Sequence, residues 1–227
     1  MIIHCVSDLH GYYPDLEGGD LLLLAGDYTK TDTITEWAKF FSWLKKQNYR
    51  KKILVAGNHD NFLSTNFPKD EQEAMKFDAI IENEEGEPSD FEYLCDYGTE
   101  FEGLKIWGSP WTRKFEGENP NCLAFTCSQE KDLDKKWELI PKDTDILITH
   151  GPAFGMMDTV IWEKENVGSV SLAQCVETLT KLKAHIFGHI HECSGIKTIK
   201  DTTFVNASYV NHQYRPLKII REINSIG

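Results

Sequence analysis

Several absences narrow the possible classes of protein. The 227 residues contain no apolar run approaching the ~20 residues that a membrane-spanning helix needs. The N-terminus, MIIHCVSDLH, lacks the basic region and long apolar stretch of a signal peptide, so we expect a cytoplasmic protein without membrane partners. The formal net charge of −12 disfavours extensive nucleic-acid binding. None of these absences predicts an oligomeric state.

The sequence also lacks paired cysteine motifs and any sign of a division into several domains. The six cysteines show no CxxC spacing, so in a chain without an export signal we interpret them as reduced thiols that mostly fill the core. The sequence shows no repeat and no linker, and its length suits one large domain over residues 1–227. An acidic stretch at 82–90, ENEEGEPSD, is rich in helix breakers and predicts a solvated loop.

Short apolar runs that end abruptly at polar residues are the main structural signal. Runs of this length, with β-branched residues and bounded by Gly, Asp or Asn, are typical of buried strands. The five runs with their following residues are IIHCV before Ser7 and Asp8, DLLLLA before Gly26 and Asp27, KKILVA before Gly57 and Asn58, DILIT before His150, and AHIF before Gly188 and His189.

Helical periodicity separates some of these runs. Thr33 and Glu36 fit a capping box, and the apolar residues that follow lie on one helical face: Ile34, Trp37, Phe40, Phe41 and Leu44. A second helix is predicted over 171–183, whose apolar face carries Leu172, Cys175, Val176, Leu179 and Leu182. Tight turns at Glu102-Gly103 and Lys200-Asp201 predict hairpins. Together the elements indicate an α/β fold that mixes parallel and antiparallel strands.

The residues that follow the five runs form a set rich in metal-ligand types. These residues are Asp8, His10, Asp27, Asn58, His59, His150, His189 and His191. Each motif alone is weak, because two histidines around one isoleucine also occur in surface turns. In an α/β sheet, however, ligands bind beyond the carboxyl ends of the strands, where all five motifs meet. Nitrogen and oxygen ligands without cysteine disfavour iron–sulfur and structural zinc sites.

These motifs resemble those of the calcineurin-like metallophosphoesterases. That family carries D-x-H, G-D, G-N-H-[DE], a later H and G-H-x-H in this order, and all five are present between Asp8 and His191. Shorter matches such as GSPWT, THGPA and TTFVNAS resemble the small MPPED-type branch. The resemblance implies a four-layer α/β/β/α sandwich of two mixed sheets flanked by helices. It also implies two divalent ions, with manganese or iron favoured and zinc possible.

The resemblance implies a ligand set for each ion. One ion would be bound by Asp8, His10, Asp27 and His191, and the other by Asp27, Asn58, His150 and His189. Asp27 can bridge because a carboxylate has two oxygens with several lone pairs. His185 lies inside an apolar run and is expected in the core.

Hydrolysis of a small phosphoester substrate is the implied activity. A hydroxide bridging the two ions would attack phosphorus, and the ions would clamp the phosphate oxygens. His59, next to the ligand Asn58 but not itself a ligand, is the candidate general acid. Asp60 could orient His59 or could hold the turn.

One departure from the protein phosphatases of this superfamily bears on the substrate. They carry G-D-x-x-D-R-G, whose arginine suits a dianionic monoester, whereas here Gly26-Asp27 is followed by YTKTD. The sequence therefore favours a phosphodiesterase acting on small phosphodiesters or cyclic nucleotides. Arg113 and Trp111 are candidate substrate-binding residues, although a large aromatic is more often a core residue. The alternatives are a metal-binding scaffold with little turnover, a nuclease or a phosphomonoesterase.

Overall fold

The computed structural model describes residues 1–66, 91–114, 122–161 and 164–224. The strands of the first sheet are β1 Ile3–Val6, β2 Gly19–Ala25, β3 Tyr49–Val55, β4 Phe91–Tyr93 and β13 Arg221–Ile223. They lie in the order β13-β1-β2-β3-β4 and are parallel except for β13. Because β1, β2 and β3 are parallel, the residues that follow them emerge at one edge.

The second sheet has six strands. They are β5 Tyr97–Phe101, β6 Leu104–Ser109, β9 Ile146–Thr149, β10 Ala184–Phe187, β11 Gly195–Ile199 and β12 Thr202–Asn206, in the order β11-β12-β10-β9-β6-β5. The outermost strands are antiparallel to their neighbours and the inner four are parallel, so this sheet is also mixed. A separate small pair joins β7 Thr112–Arg113 to β8 Thr126–Cys127.

Apolar packing sets the order of the layers. Every second residue of β1, β2 and β3 faces the second sheet. These side chains pack against residues of β6, β9, β10 and β12 in one buried cluster between the sheets. The outer face of the first sheet packs on the helix α1, Ile34–Lys46, and the outer face of the second on α3, Glu130–Trp137, and α4, Val170–Thr178. A shorter helix, α2, covers Asn61–Asn66. The predicted α/β/β/α sandwich is therefore confirmed.

The helices differ in detail from the sequence prediction. Thr33 caps α1 as predicted, but Ile34 is 71% exposed and Trp43 is buried instead. The helix predicted over 171–183 ends at Thr178, because Leu179 leaves helical geometry with φ −84° and ψ 82°. Leu179 and Leu182 are nevertheless buried as predicted, since the chain beyond the helix continues over the sheet.

The remaining predictions about local structure have different outcomes. Both hairpins are confirmed, since Phe101 pairs with Leu104 and Ile199 with Thr202. All six cysteines are reduced thiols as predicted, and Cys5 lies in the core while Cys95, Cys127 and Cys175 are half-buried and pack against it. The predicted acidic loop at 82–90 lies outside the described residues. Within the described ranges, no helix combines the length and apolarity needed to cross a membrane.

Candidate metal centre

Strand ends from both sheets converge on one cluster of imidazoles and carboxylates. Three groups in it bring a possible ligand atom from each member within 4.8 Å of the others. The groups are Asp8 with His10 and His191, His10 with Asp27 and His59, and Asp8 with Asp27 and His150. Every strand end that the sequence singled out therefore contributes to one site or adjoins it.

The side of the site built by His10 and His191 has the chemistry of a cation site. Nε2 of His10 lies 3.3 Å from Nε2 of His191, which in turn lies 3.2 Å from Oδ1 of Asp8. All three residues are buried. Two imidazole nitrogens and a carboxylate oxygen that converge in this way offer lone pairs to a shared cation.

The tautomer of the His150 ring indicates a cation site on the second side of the cluster as well. Nδ1 of His150 lies 2.7 Å from the carbonyl oxygen of Ala25, an acceptor that requires the ring to donate there. In the neutral ring, Nε2 then carries the lone pair, yet it faces Oδ1 of Asn58 at 2.8 Å and Oδ2 of Asp27 at 3.5 Å. These three acceptor atoms, Nε2 of His150, Oδ1 of Asn58 and Oδ2 of Asp27, face one another, and such an arrangement fits a bound cation.

Asp27 lies between the two sides. Its Oδ2 is 3.5 Å from Nε2 of His150 and 3.8 Å from Nε2 of His10. This position suits the bridging role that the resemblance implies. His189 completes the surroundings, because its ring meets that of His150 edge-on at 4.9 Å and its backbone N–H donates to Asp8. The assignment of ligands to individual ions stays a prediction.

Electrostatics in the cluster favour bound positive charge. Burial alone would raise the pKa of Asp8 and Asp27, but the neighbouring imidazoles outweigh it and hold both below their usual range. Burial lowers the pKa of His10 to about 4, which leaves the ring neutral and able to bind a metal. Burial lowers the pKa of His150, but Asp27 and Asp8 outweigh it and raise the pKa to about 9, so a metal ion at Nε2 would take the place of that proton. The negative charge of Asp8 and Asp27, which favours a proton on His150, would likewise attract a divalent cation.

Unusual backbone geometry accompanies the predicted ligands. Asp8, His10, Asp27 and His189 all have positive φ, between 42° and 68°. For non-glycine residues this region is uncommon and occurs mainly where surrounding structure enforces it. The strand ends therefore turn sharply, which directs neighbouring side chains into one site.

Two glycines of the motifs are explained by close approach. A Cβ atom on Gly57 would lie 2.2 Å from Oδ1 of Asp27, and one on Gly188 would lie 2.1 Å from Oδ2 of Asp8. Any larger residue would displace a predicted ligand. The glycines of G-N-H and G-H-x-H thus leave room for carboxylates that arrive from other strands.

His59 adjoins the centre as predicted but also reaches into it. Its backbone N–H donates to Oδ1 of Asp27 at 2.9 Å, and its Nε2 lies 3.9 Å from Oδ2. Its side chain is 20% exposed, more than that of His10 or His150. The thiol of Cys122, which the sequence did not single out, lies 3.2 Å from Nε2. His59 can therefore meet a substrate that approaches from solvent.

The alternatives for Asp60 are resolved in favour of the turn. Its Oδ2 accepts from the backbone N–H groups of Asp27 and Gly57 at 2.8 and 2.7 Å, and Oδ1 accepts from Tyr28 at 3.1 Å. Burial and the Asp27 carboxylate raise the pKa of Asp60, against these three donors. Asp60 thus ties the G-D loop to the G-N-H loop, and its carboxylate oxygens are directed at backbone amides and not at the His59 ring.

A second support comes from β12 and the segment after it. The Ser208 hydroxyl lies 2.7 Å from Oδ2 of Asp8 and 2.8 Å from Oδ1 of Asn206, so its one proton can be donated to either oxygen. Nδ2 of Asn206 donates to the carbonyl of Ile190 at 2.8 Å. Sequence reasoning matched TTFVNAS to a branch of the family but gave these side chains no role. Periodicity could not identify them, because both lie at or after the end of an ordinary strand.

The candidate substrate residues lie in other networks. Trp111 donates to Asp96 at 2.9 Å, and Nζ of Lys136 lies 4.0 Å above its ring. Arg113 lies 3.8 Å from Glu130 and 3.4 Å from the carbonyl of Val167. His185 is buried and lies 2.8 Å from the Thr149 hydroxyl, as expected of a core residue.

Comparisons with known proteins agree with this site. Residues 1–193 match the calcineurin-like phosphoesterase family. The chain is 36% identical over 224 residues to the human metallophosphoesterase domain-containing protein 1, a match covering 94% of this chain and 67% of that protein. It is 34% identical over 219 residues to the UPF0046 protein C25E10.12 of Caenorhabditis elegans, covering 93% and 76%. The solved structure of TT1561 from Thermus thermophilus has a TM-score of 0.55 at 18% identity, with 98% of each chain covered, and so shares the fold.

Proposed function

This chain belongs to the calcineurin-like phosphoesterase family, and from that premise we propose that it is a dinuclear metal-dependent phosphodiesterase of small phosphodiesters or cyclic nucleotides. Residues 1–227 would act as one catalytic domain. The observation that carries the proposal is the position of Asp27 between the His10 and His150 sides of the cluster, at 3.8 and 3.5 Å. A shared carboxylate between two sets of imidazoles suits two adjacent divalent ions.

The residues fit the two ions that the family implies. Asp8, His10, Asp27 and His191 would hold one, and Asp27, Asn58, His150 and His189 the other. Manganese or iron is favoured by the resemblance, and zinc suits the same nitrogen and oxygen ligands. When bound, the ions would supply Lewis acidity and an activated water.

His59 would supply the proton that the leaving group needs. Its ring is held beside Asp27 by the backbone bond of the same residue, and it is more exposed than the buried ligands. An imidazole exchanges protons near neutral pH, which suits a general acid on an alkoxide leaving group. Asp27 would keep His59 in place while itself remaining charged.

The preference for diesters rests on the missing arginine of the protein-phosphatase motif, for which Arg113 is the candidate substitute. Arg113 is engaged by Glu130 and Val167, and the position after Asp27 is the buried Tyr28. A dianionic monoester would gain more from a bidentate arginine than a singly charged diester would.

A metal and substrate panel tests the proposal. The protein would be stripped with a chelator, reloaded with Mn²⁺, Fe²⁺ or Zn²⁺, and assayed on bis(4-nitrophenyl) phosphate, 3′,5′-cyclic AMP and 4-nitrophenyl phosphate. We expect no turnover without metal, and higher kcat/KM on the diesters than on the monoester. Full activity of the stripped protein would refute the metal mechanism, and a monoester preference would refute the substrate class. Metal binding without turnover on any ester would favour the scaffold alternative.

His59→Asn tests the acid role separately. Loss of a general acid typically removes ~10²–10⁴ in rate, and the loss should depend on the leaving group. A nitrophenolate departs with little protonation and should suffer little, whereas the ribose oxygen of a cyclic nucleotide should suffer heavily. Metal content would be quantified in both proteins, because His59 lies within reach of a ligand position. An equal loss for both substrates would contradict the acid role, and a loss that follows the metal content would make His59 a ligand.

A further inference from the structure

A tyrosine from the far end of the chain borders the metal centre. The ring of Tyr214 meets the ring of His10 edge-on at 4.8 Å and that of His191 edge-on at 5.1 Å. These are the two imidazoles whose Nε2 atoms converge on the predicted ion. Although it touches two buried residues, Tyr214 is itself 49% exposed. It therefore extends from the buried ligands to the surface.

The loop that carries Tyr214 is built to hold it there. Oδ1 of Asn211 accepts from the backbone N–H groups of Gln213 and Arg215 at 2.9 and 3.0 Å. The backbone N–H of Asn211 donates to the carbonyl of Arg215 at 2.9 Å, and that of Tyr214 donates to Asn211 at 2.8 Å. Tyr214 itself has φ 56°, a conformation that is uncommon for a bulky residue. These hydrogen bonds hold the Tyr214 backbone in a conformation that a bulky residue rarely adopts.

His59 is a second partly exposed aromatic neighbour of His10. The ring of His10 meets that of His59 edge-on at 4.9 Å, just as it meets that of Tyr214. His10 is only 5% exposed, while its two aromatic neighbours reach solvent. A phosphoester whose phosphate lies at the metal centre therefore has its organic substituents beside His59 and Tyr214.

We propose that Tyr214 is a specificity-determining residue that selects phosphoesters with an aromatic substituent, by contact of its exposed ring with that group. The inference rests on the proposed function for the location of the phosphate. Aromatic rings attract one another through offset-stacked and edge-to-face contacts beyond what burial of equal area gives. Saturated substituents of the same size lack that gain. Trp111, the sequence-based candidate for this role, has its ring already covered by Lys136 and Phe125.

Two substitutions separate the ring from the loop. Tyr214→Phe keeps the ring and removes only the hydroxyl. Tyr214→Asn removes the ring, and asparagine is among the residues that best tolerate positive φ, so the loop geometry is retained. Tyr97→Asn is the matched control, because Tyr97 is 54% exposed and lies on the edge strand β5.

The probes are phenylphosphonate and cyclohexylphosphonate, which cannot be hydrolysed, with binding to Mn²⁺-loaded protein measured by calorimetry. We expect wild type, Tyr214→Phe and Tyr97→Asn to bind the phenyl compound about two- to tenfold more tightly than the cyclohexyl compound. Tyr214→Asn should lose that preference, because phenylphosphonate loses the aromatic contact and cyclohexylphosphonate loses only an apolar one, and affinities are compared at equal measured metal content.

The outcomes distinguish this inference from the proposed function. A phenyl preference that survives in Tyr214→Asn, or that is absent from wild type, overturns the role of Tyr214 and leaves phosphoester hydrolysis intact. A phenyl preference that depends on Tyr214 in a protein without turnover overturns the proposed function and supports the aromatic site. If neither phosphonate binds the metal-loaded protein, the role of Tyr214 is overturned, while the proposed function is decided separately by turnover of the diesters.

Discussion

Gly57→Ala should damage the metal centre although it replaces no predicted ligand. The added Cβ would lie 2.2 Å from Oδ1 of Asp27 and 2.6 Å from Cε1 of His150. Its approach to Asp27 is about 1.2 Å closer than ordinary contact allows, and neither neighbour is a flexible surface chain. The carboxylate must move away, and Asp27 is the residue that would bridge the ions.

The size of the effect follows from that displacement. Misplacement of a catalytic group by ~1 Å typically lowers the rate by about 10²-fold, and overpacking destabilises a core by about 1–3 kcal/mol. For a domain of this size each kcal/mol shifts Tm by about 2–4 °C. We therefore expect kcat/KM on a diester to fall about 100-fold, weaker binding of at least one ion, and a Tm lowered by about 2–12 °C.

The assay compares Gly57→Ala with Gly195→Ala. A Cβ on Gly195 would lie 3.7 Å from its nearest neighbour, which is ordinary contact, so the control makes the same substitution without a clash. Metal content by elemental analysis, diester turnover and thermal unfolding would be measured for both. Gly57→Ala protein with two ions and normal turnover would show that Asp27 is not constrained as described.

Three further changes test other parts of the site and core. Asp27→Asn should lower diester turnover at least ~100-fold, because the bridging position loses a charge, and retention of both ions with normal turnover would contradict the bridge. Ser208→Ala removes the donor to Asp8 and should weaken metal affinity about 10–100-fold by calorimetric titration, and unchanged affinity would remove that support. Burial lowers the pKa of His185 from 6.5 to about 3. Between these two pH values the unfolded chain binds a proton at His185 that the folded protein does not bind, so the free energy of unfolding falls as the pH drops. His185→Leu should reduce this dependence by up to about 1.4 kcal/mol per pH unit in urea unfolding between pH 7 and 4, and an unchanged slope would refute it.

The sequence predicted the elements whose signal is local. Buried strands that end in Gly and Asp or Asn identify themselves by apolar runs, and parallel pairing then brings their ends to one edge. That logic yielded the strands before Asp8, Asp27 and Asn58 and the convergence of their side chains. The same logic identified the two tight hairpins.

Contacts between distant segments could not be predicted in this way. Tyr214 and Ser208 reach the site from a stretch with no helical or strand periodicity, so nothing near them in sequence indicates their partners. For Asp60 the sequence left two roles open. Its neighbour in sequence is His59, but its carboxylate turns away to the amides of Asp27, Tyr28 and Gly57.

Hydrogen bonds from the protein itself position the centre. Asp8, which follows a strand of the first sheet, accepts hydrogen bonds from the backbone N–H of His189 and the hydroxyl of Ser208. Both donors follow strands of the second sheet. Asp27 is held by the His59 amide, and Asp60 joins the loops that carry both. These bonds keep two carboxylates and several imidazoles close together in a buried place, an arrangement that is unfavourable unless charge is balanced. Divalent ions would provide that balance, so we expect the same bonds that position the ligands also to make the stability of the site depend on metal.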